Sequence, residues 1–248
     1  MSSSTTSFRS RSTSRLGLLG LATLIACVVL PVASASATPQ YSWFTNQPAK
    51  GREAAGALVL PNDKVLVAGG TNSTYTTSPG WTNTTYTIYD NFGAGSWTAE
   101  KSFGTTSRPG QVSAQGKIWM FNLANGKALM VGGNSGTQTS QVYNPTADTW
   151  SAPVTATDSG TSPVCAQSGD KTVACYNPSG KITVYSEATD SWASKSATYL
   201  WAAPQFVGLD GDRFLKSGGY TAEGNVTKIY DVSADTWTTS GNTVDTLR

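Results

Sequence analysis

The stretch KALMVGGNSGTQTSQVYNPTADTW, Lys127–Trp150, contains the pattern from which the fold of this chain can be predicted. It begins with an apolar run that ends in the glycine pair Gly132-Gly133. A polar loop and a second β-like run lead to Tyr143, and Trp150 stands seven residues further along. Short β-branched and aromatic runs separated by glycine, asparagine and serine are typical of strands joined by tight turns. The stretch therefore predicts consecutive β-strands.

The glycine-terminated run recurs along the chain. Clear copies are KVLVAGG (64–70), KALMVGG (127–133) and RFLKSGG (213–219), and KTVACYN (171–177) keeps the strand but lacks the glycines. Before each run stands a pair that favours the positive φ angles of tight hairpins, namely Asn62-Asp63, Asn125-Gly126, Gly169-Asp170 and Gly211-Asp212. A basic residue follows each pair: Lys64, Lys127, Lys171 and Arg213. Each copy therefore predicts a hairpin.

A tyrosine and a tryptophan recur with each copy. They stand seven residues apart in three copies and eight apart in one: Tyr143 and Trp150, Tyr185 and Trp192, Tyr230 and Trp237, and Tyr89 and Trp97. Each unit thus predicts four strands: one before the hairpin turn, one ending at the glycines, one ending at the tyrosine and one containing the tryptophan. Such sheets bury both faces when they pack around an axis. We predict an all-β fold, a β-propeller with four four-stranded blades at about 54–97, 108–150, 162–192 and 203–237.

The apolar run closed by Gly-Gly, followed by Tyr, six residues and Trp, resembles the kelch repeat over about residues 54–237. The resemblance implies that the glycines end the second strand and that the aromatic pairs pack between blades. The third unit departs from the pattern at Cys175-Tyr176. The structural motif residues are Gly69, Gly70, Tyr89, Trp97, Gly132, Gly133, Tyr143, Trp150, Tyr185, Trp192, Gly218, Gly219, Tyr230 and Trp237.

The segment Tyr41-Ser42-Trp43 matches the word that introduces a fourth strand. It predicts an orphan N-terminal strand, the last of a blade whose other strands are not upstream. Two explanations stay open, an incomplete propeller from a truncated sequence and a genuine small propeller. In the first case the end blades expose apolar faces, which predicts self-association through open blade edges.

Residues 1–37 predict a secretory signal peptide. Three arginines and no acid precede the apolar run Leu16–Val32, and Ala35-Ser36-Ala37 supplies the small residues of a cleavage site. A membrane anchor is the alternative. The expected mature chain, 38–248, is secreted and carries 14 basic against 15 acidic residues, a net charge of −1. We therefore expect no nucleic-acid partner and, after removal of the leader, no membrane span.

Cys165 and Cys175 flank the turn signal Ser168-Gly169-Asp170. In a hairpin centred on residue 170 they face each other, and a non-hydrogen-bonded pair brings Cα atoms to about 4.5 Å. A metal site is the alternative, but the chain contains no histidine. The spacing predicts a disulfide, in agreement with export to an oxidising compartment.

Candidate ligand-binding residues lie where a meander places its loops between strands two and three and its links between blades, at one rim of the sheets. They are Tyr75, Trp81, Arg52, Arg108, Tyr199 and Trp201. Aromatic side chains with a few polar partners suit a glycan or a protein ligand. The other role open to these aromatics is to cap the seams between blades.

Secreted kelch propellers are similar to the galactose oxidase group, whose copper is held by two tyrosines and two histidines, with one tyrosine cross-linked to a cysteine. No copper ligand can be carried over from that group, because this chain lacks histidine and its two mature cysteines are predicted to pair with each other. We expect no catalytic residue, metal or cofactor. The prediction is a secreted module that binds a protein or a glycan. The alternative is a fragment of a galactose oxidase-like copper radical oxidase whose active-site residues lie outside this chain.

Overall fold

A computed structural model describes residues 52, 55–70, 84–90, 95–104, 118–132, 139–156, 163–177, 180–195, 205–218 and 226–242. The predicted signal peptide and the orphan strand around Trp43 lie outside these residues. Regular structure in the described part is entirely β-strand. A helix long and apolar enough to cross a membrane does not occur there.

The strands form four antiparallel sheets that follow one another in chain order. The first contains β1 (Gly56–Val59), β2 (Val65–Ala68), β3 (Thr85–Asp90), β4 (Ser96–Trp97) and β5 (Lys101–Ser102). The second contains β6 (Trp119–Asn122), β7 (Ala128–Gly132), β8 (Thr139–Asn144), β9 (Thr149–Trp150) and β10 (Val154–Thr155). The third contains β11 (Val164–Gln167), β12 (Val173–Tyr176), β13 (Ile182–Ser186) and β14 (Ser191–Lys195). The fourth contains β15 (Gln205–Gly208), β16 (Arg213–Ser217), β17 (Val226–Asp231) and β18 (Thr236–Asn242).

The fourth strand is divided in the first two sheets. β4 and β5 both pair with β3, and β9 and β10 both pair with β8. At each division a hydroxyl replaces a backbone acceptor: Ile88 N donates to Thr98 Oγ1 (2.9 Å), and Val142 N donates to Ser151 Oγ (3.0 Å). With the two pieces counted as one strand, the described part confirms the predicted all-β fold and its four four-stranded sheets, an architecture compatible with propeller blades.

The glycines after β2 and β16 have the conformation for which glycine is favoured. Gly69 and Gly70 have φ angles of 67° and 89°, and Gly218 has a φ of 76°. Residues that have a side chain rarely adopt such φ angles, because their Cβ then lies too close to a backbone carbonyl oxygen. The strands therefore end where the sequence pattern places their ends.

The hairpin turn of the third sheet differs from the prediction in one respect. Lys171 is not the residue after the turn but part of it, with a φ of 73°, as Asp63 (61°) and Gly126 (78°) are in the first two sheets. Asp170 Oδ1 accepts from Thr172 N (3.0 Å), just as Asn125 Oδ1 accepts from the amide two residues later. This Asx-type contact at Asp170 places the left-handed position on the next residue.

Three apolar cores of the described residues join successive sheets. The core between the first and second sheets includes Leu66 and Tyr143, that between the second and third includes Leu129 and Trp192, and that between the third and fourth includes Ala174 and Phe214. Cores of this kind bury both faces of the second and third sheets. Within the described residues, none of these cores joins the fourth sheet to the first.

The first strands of successive sheets are also in contact, through residues at equivalent positions. Asn122 Nδ2 donates to the carbonyl of Val59 (2.8 Å), and Gln167 Nε2 donates to the carbonyl of Asn122 (2.7 Å). In the fourth sheet this position is Gly208, where a Cβ would lie 1.9 Å from the Gln167 carbonyl oxygen. Glycine is therefore required at residue 208 by the close backbone approach of β11 and β15.

Candidate functional site

Arg52, a predicted ligand-binding residue, lies where β2 ends and β3 begins. Its guanidinium donates to the carbonyl oxygens of Gly69 (2.8 Å) and Thr85 (2.9 Å), and to Thr85 Oγ1 (2.7 Å). Nη2 also lies 3.0 Å from Glu100 Oε1, and the two side chains are only 3% and 11% exposed. Arg52 therefore links the residues that flank segment 71–83 and neutralises a nearly enclosed carboxylate.

The surroundings of Arg52 act in opposite directions on its charge. Burial lowers the pKa of Arg52 below its ordinary value, and the Glu100 carboxylate opposes that shift. Breaking such an enclosed pair by removing one partner leaves an uncompensated charge and is strongly destabilising. Arg52 thus has a structural role at the predicted rim, and its ligand-binding role stays a prediction. The other candidates, Tyr75, Trp81, Arg108, Tyr199 and Trp201, lie outside the described residues.

In the second, third and fourth sheets, an aspartate two residues before the tryptophan accepts a hydrogen bond from the tyrosine. The hydroxyls of Tyr143, Tyr185 and Tyr230 donate to Asp148, Asp190 and Asp235 at 2.8, 2.7 and 2.6 Å. These aspartates have φ angles of 53°, 46° and 50°. Asp tolerates this left-handed conformation better than most residues. The aspartates were not singled out from the sequence, although the recurring words DTW and DSW carry the signal.

Glycine occupies the equivalent position in the first sheet. Gly95 has a φ of 69°, and a Cβ on it would lie 2.1 Å from the Tyr89 hydroxyl oxygen. The Tyr89 phenol thus lies against Gly95, and a side chain at residue 95 would clash with its hydroxyl and be strained by the positive φ.

Asp148 has two partners besides Tyr143. Tyr86, from the preceding sheet, also donates to Asp148 Oδ1, at 2.8 Å, and Lys101 forms an ion pair with Oδ2. Burial of Asp148 acts to raise the pKa of its carboxyl, but the hydrogen bonds from Lys101, Tyr86 and Tyr143 outweigh it and lower the pKa. Burial and the Asp148 carboxylate raise the pKa of both tyrosines. The cluster is thus a carboxylate with two neutral phenol donors joining two sheets.

The predicted disulfide is confirmed. Cys165 and Cys175 are direct cross-strand partners in β11 and β12, with Cα atoms 4.0 Å apart, and their sulfurs are bonded. Both residues are buried in the core between the second and third sheets. The bond therefore links β11 to β12 inside that core.

A polar cleft of about 230 Å³ opens at the hairpin-turn edge, between the second and third sheets. Lys127, Trp150, Tyr185 and Asp190 line it with Glu187. Glu187 accepts from the backbone amides of residues 124 and 125, at 2.7 and 3.2 Å. The two carboxylates that line the cleft, those of Glu187 and Asp190, are thus already hydrogen-bonded within the protein.

Metal-binding geometry is not found in the described part, where no three His, Cys, Asp or Glu side chains are grouped closely enough to hold an ion. The guanidinium, carboxylate and phenol groups described above serve there as hydrogen-bond partners within and between sheets. No protein-family model matches this chain, and the comparison with curated proteins gives no match either. Function is therefore inferred from the residues themselves.

Proposed function

We propose that this chain is a secreted binding module of the kelch-propeller type, which presents the loops at one edge of its sheets to a protein or a glycan. The sheets follow one another in chain order, and tyrosine–tryptophan pairs lie in the cores between them. This arrangement supports the kelch-propeller assignment, in which blades pack through such pairs. The disulfide supports a secreted location.

The two edges of the sheets differ in a way that supports one of them as the binding edge. At the turn edge, five-residue hairpins are closed by backbone bonds such as Leu60 N to Lys64 O and Leu123 N to Lys127 O. At the opposite edge, the chain between β2 and β3 comprises 16 residues, with Tyr75 and Trp81 among them. Long connections on a rigid scaffold are where binding residues concentrate.

The contacts of Arg52 are the observation that carries the proposal. One nearly enclosed guanidinium binds the carbonyls of Gly69 and Thr85, which stand on either side of the long loop. Fixing the two ends of a loop reduces the conformational entropy that the loop loses when a ligand binds. Arg52 thus gives the aromatic-bearing loop a rigid base.

Binding is favoured over catalysis by the composition and by the site chemistry. The chain has no histidine, the residue most often used as a general base near neutral pH. The four tyrosines with aspartate partners have raised pKa values because of burial and those hydrogen bonds. They are therefore neutral donors rather than bases or nucleophiles at physiological pH.

The proposal is tested by screening the secreted chain on arrays of glycans and extracellular proteins. Trp81→Ala and Tyr75→Ala should lower the affinity for the ligand found by roughly tenfold or more, as expected for aromatic anchors. Thr146→Ala is the matched control, because Thr146 is exposed in the β8–β9 turn at the opposite edge. Loss of binding in the control but not in the two aromatic variants would contradict the proposal.

A further inference from the structure

Each described sheet carries one apolar cross-strand row on a single face. The rows are Leu58–Leu66–Ile88, Phe121–Leu129–Val142, Ala166–Ala174–Val184 and Val207–Leu215–Ile229. The first three rows belong to the three cores and so face the next sheet along the chain. The row of the fourth sheet occupies the same position but enters none of the cores of the described residues. Val207 is 47% exposed, and Leu215 and Ile229 are half-buried.

The first sheet carries the opposite half of the same interface. In the second, third and fourth sheets, the tyrosine–tryptophan pair faces the preceding sheet, with ring centroids 5.0–5.3 Å apart. Tyr89 and Trp97 form an equivalent pair, with centroids 5.1 Å apart, on the face of the first sheet that points away from the second. Val59, on the same face, is 57% exposed.

The exposures show that these two faces do not cover each other within one copy. Val59 and Val207 are the exposed large hydrophobic residues of the described part. They stand on the two faces that a fourth interface of the same kind would join. The chain thus carries both halves of an interface that it already forms three times, one half at each end of its series of sheets.

We propose that the chain associates head to tail with a second copy. The Tyr89–Trp97 face of each copy covers the Val207–Leu215–Ile229 row of the other, which closes a ring of two copies and eight sheets. Two different faces meeting in this way form a heterologous interface, which closes only when the rotation completes a ring. β-Propellers typically have about four to eight blades, so a ring of eight sheets lies within the usual range.

One polar contact of the internal interfaces has an equivalent in the proposed one. Trp192 Nε1 donates to Ser140 Oγ across the second and third sheets, at 2.8 Å. Trp97 and Thr227 occupy the corresponding positions in the first and fourth sheets, counted from Tyr89 and Tyr230. The Thr227 hydroxyl, which lies 3.4 Å from Ser217 Oγ, therefore stands in the position that the Ser140 hydroxyl has opposite Trp192.

Sedimentation of the secreted chain at several concentrations tests this association. The wild-type chain should form a dimer. Val59→Lys and Val207→Lys should each weaken dimerisation by roughly 100-fold, about tenfold for each of the two interfaces that one substitution damages. Both sites are exposed in a single copy, so circular dichroism should show folded variants. Thr146→Lys, which adds the same charge in an exposed turn, should leave the dimer intact.

Mixing Val59→Lys with Val207→Glu distinguishes this interface from other modes of association. Each variant alone places an unpaired charge in both interfaces of the ring. In a mixed dimer one interface is unaltered, and the other brings the lysine face against the glutamate face. An equimolar mixture should therefore form a one-to-one complex at concentrations where each variant alone is monomeric. A wild-type monomer at all concentrations, a dimer insensitive to both substitutions, or a mixture that stays monomeric would overturn the proposal. Polymers that lengthen with concentration would overturn closure by two copies.

Discussion

Replacement of Asp148 by glycine should cost about twice the stability lost when Asp190 is replaced in the same way. Both aspartates have left-handed φ angles, 53° and 46°, which glycine also adopts. Asp148 Oδ1 accepts from two buried hydroxyls, those of Tyr86 and Tyr143, whereas Asp190 accepts from Tyr185. A buried donor left without a partner costs about 1–3 kcal/mol. We therefore expect losses of about 3 kcal/mol for Asp148→Gly and about 1.5 kcal/mol for Asp190→Gly.

Urea unfolding at neutral pH measures both free energies of unfolding. The extra flexibility that glycine gives the unfolded chain is common to the two variants, so it cancels in their difference. Lys101, which is half-exposed, pairs with Asp148, and Lys101→Met should cost less than about 1 kcal/mol. Equal losses for the two glycine variants, or a larger loss for Asp190→Gly, would show that the second tyrosine contributes nothing and would refute this reasoning.

Three further predictions follow from the disulfide, from the carboxylate between the first two sheets and from the leader. Reduction of the Cys165–Cys175 bond should lower the free energy of unfolding by about 2–3 kcal/mol, and finding both thiols free in the folded, unreduced protein would contradict the bond. Because the folded pKa of Asp148 lies below its ordinary 3.8, its contribution is present above that pH and lost as pH falls further. The stability difference between wild type and Asp148→Asn should therefore shrink below about pH 4 in melting experiments, and a difference that grows there would contradict the assignment. N-terminal sequencing of the secreted protein should begin at Thr38, whereas a retained apolar segment would exclude cleavage after Ala37.

The strand arrangement was predictable because it depends on local patterns that recur. The hairpin centred on residue 170 placed Cys165 opposite Cys175, and this is the pairing found in β11 and β12. The glycines after β2 and β16 marked strand ends because positive φ is a local requirement. Patterns of this kind need no knowledge of neighbouring sheets.

The contacts between sheets were less accessible to sequence reasoning. Asp148 stands in a turn where it could have been only a polar turn residue, and its two phenol partners come from different sheets. The contacts of Arg52 likewise depend on Glu100 and Thr85, which are 48 and 33 residues away. Gly208 shows the same limit. Residue 208 has no room for a side chain, and the reason is the neighbouring backbone of β11.

Hydrogen exchange of the secreted chain, with and without the ligand found on the arrays, tests the proposed binding edge most directly. Ligand should slow exchange in peptides that cover 71–83, 105–117 and 196–204, the connections that begin at the edge held by Arg52. Peptides that cover the hairpin turns 60–64, 123–127 and 209–213 should exchange at unchanged rates. Protection confined to the hairpin turns, with none in the loop-edge peptides, would contradict the account.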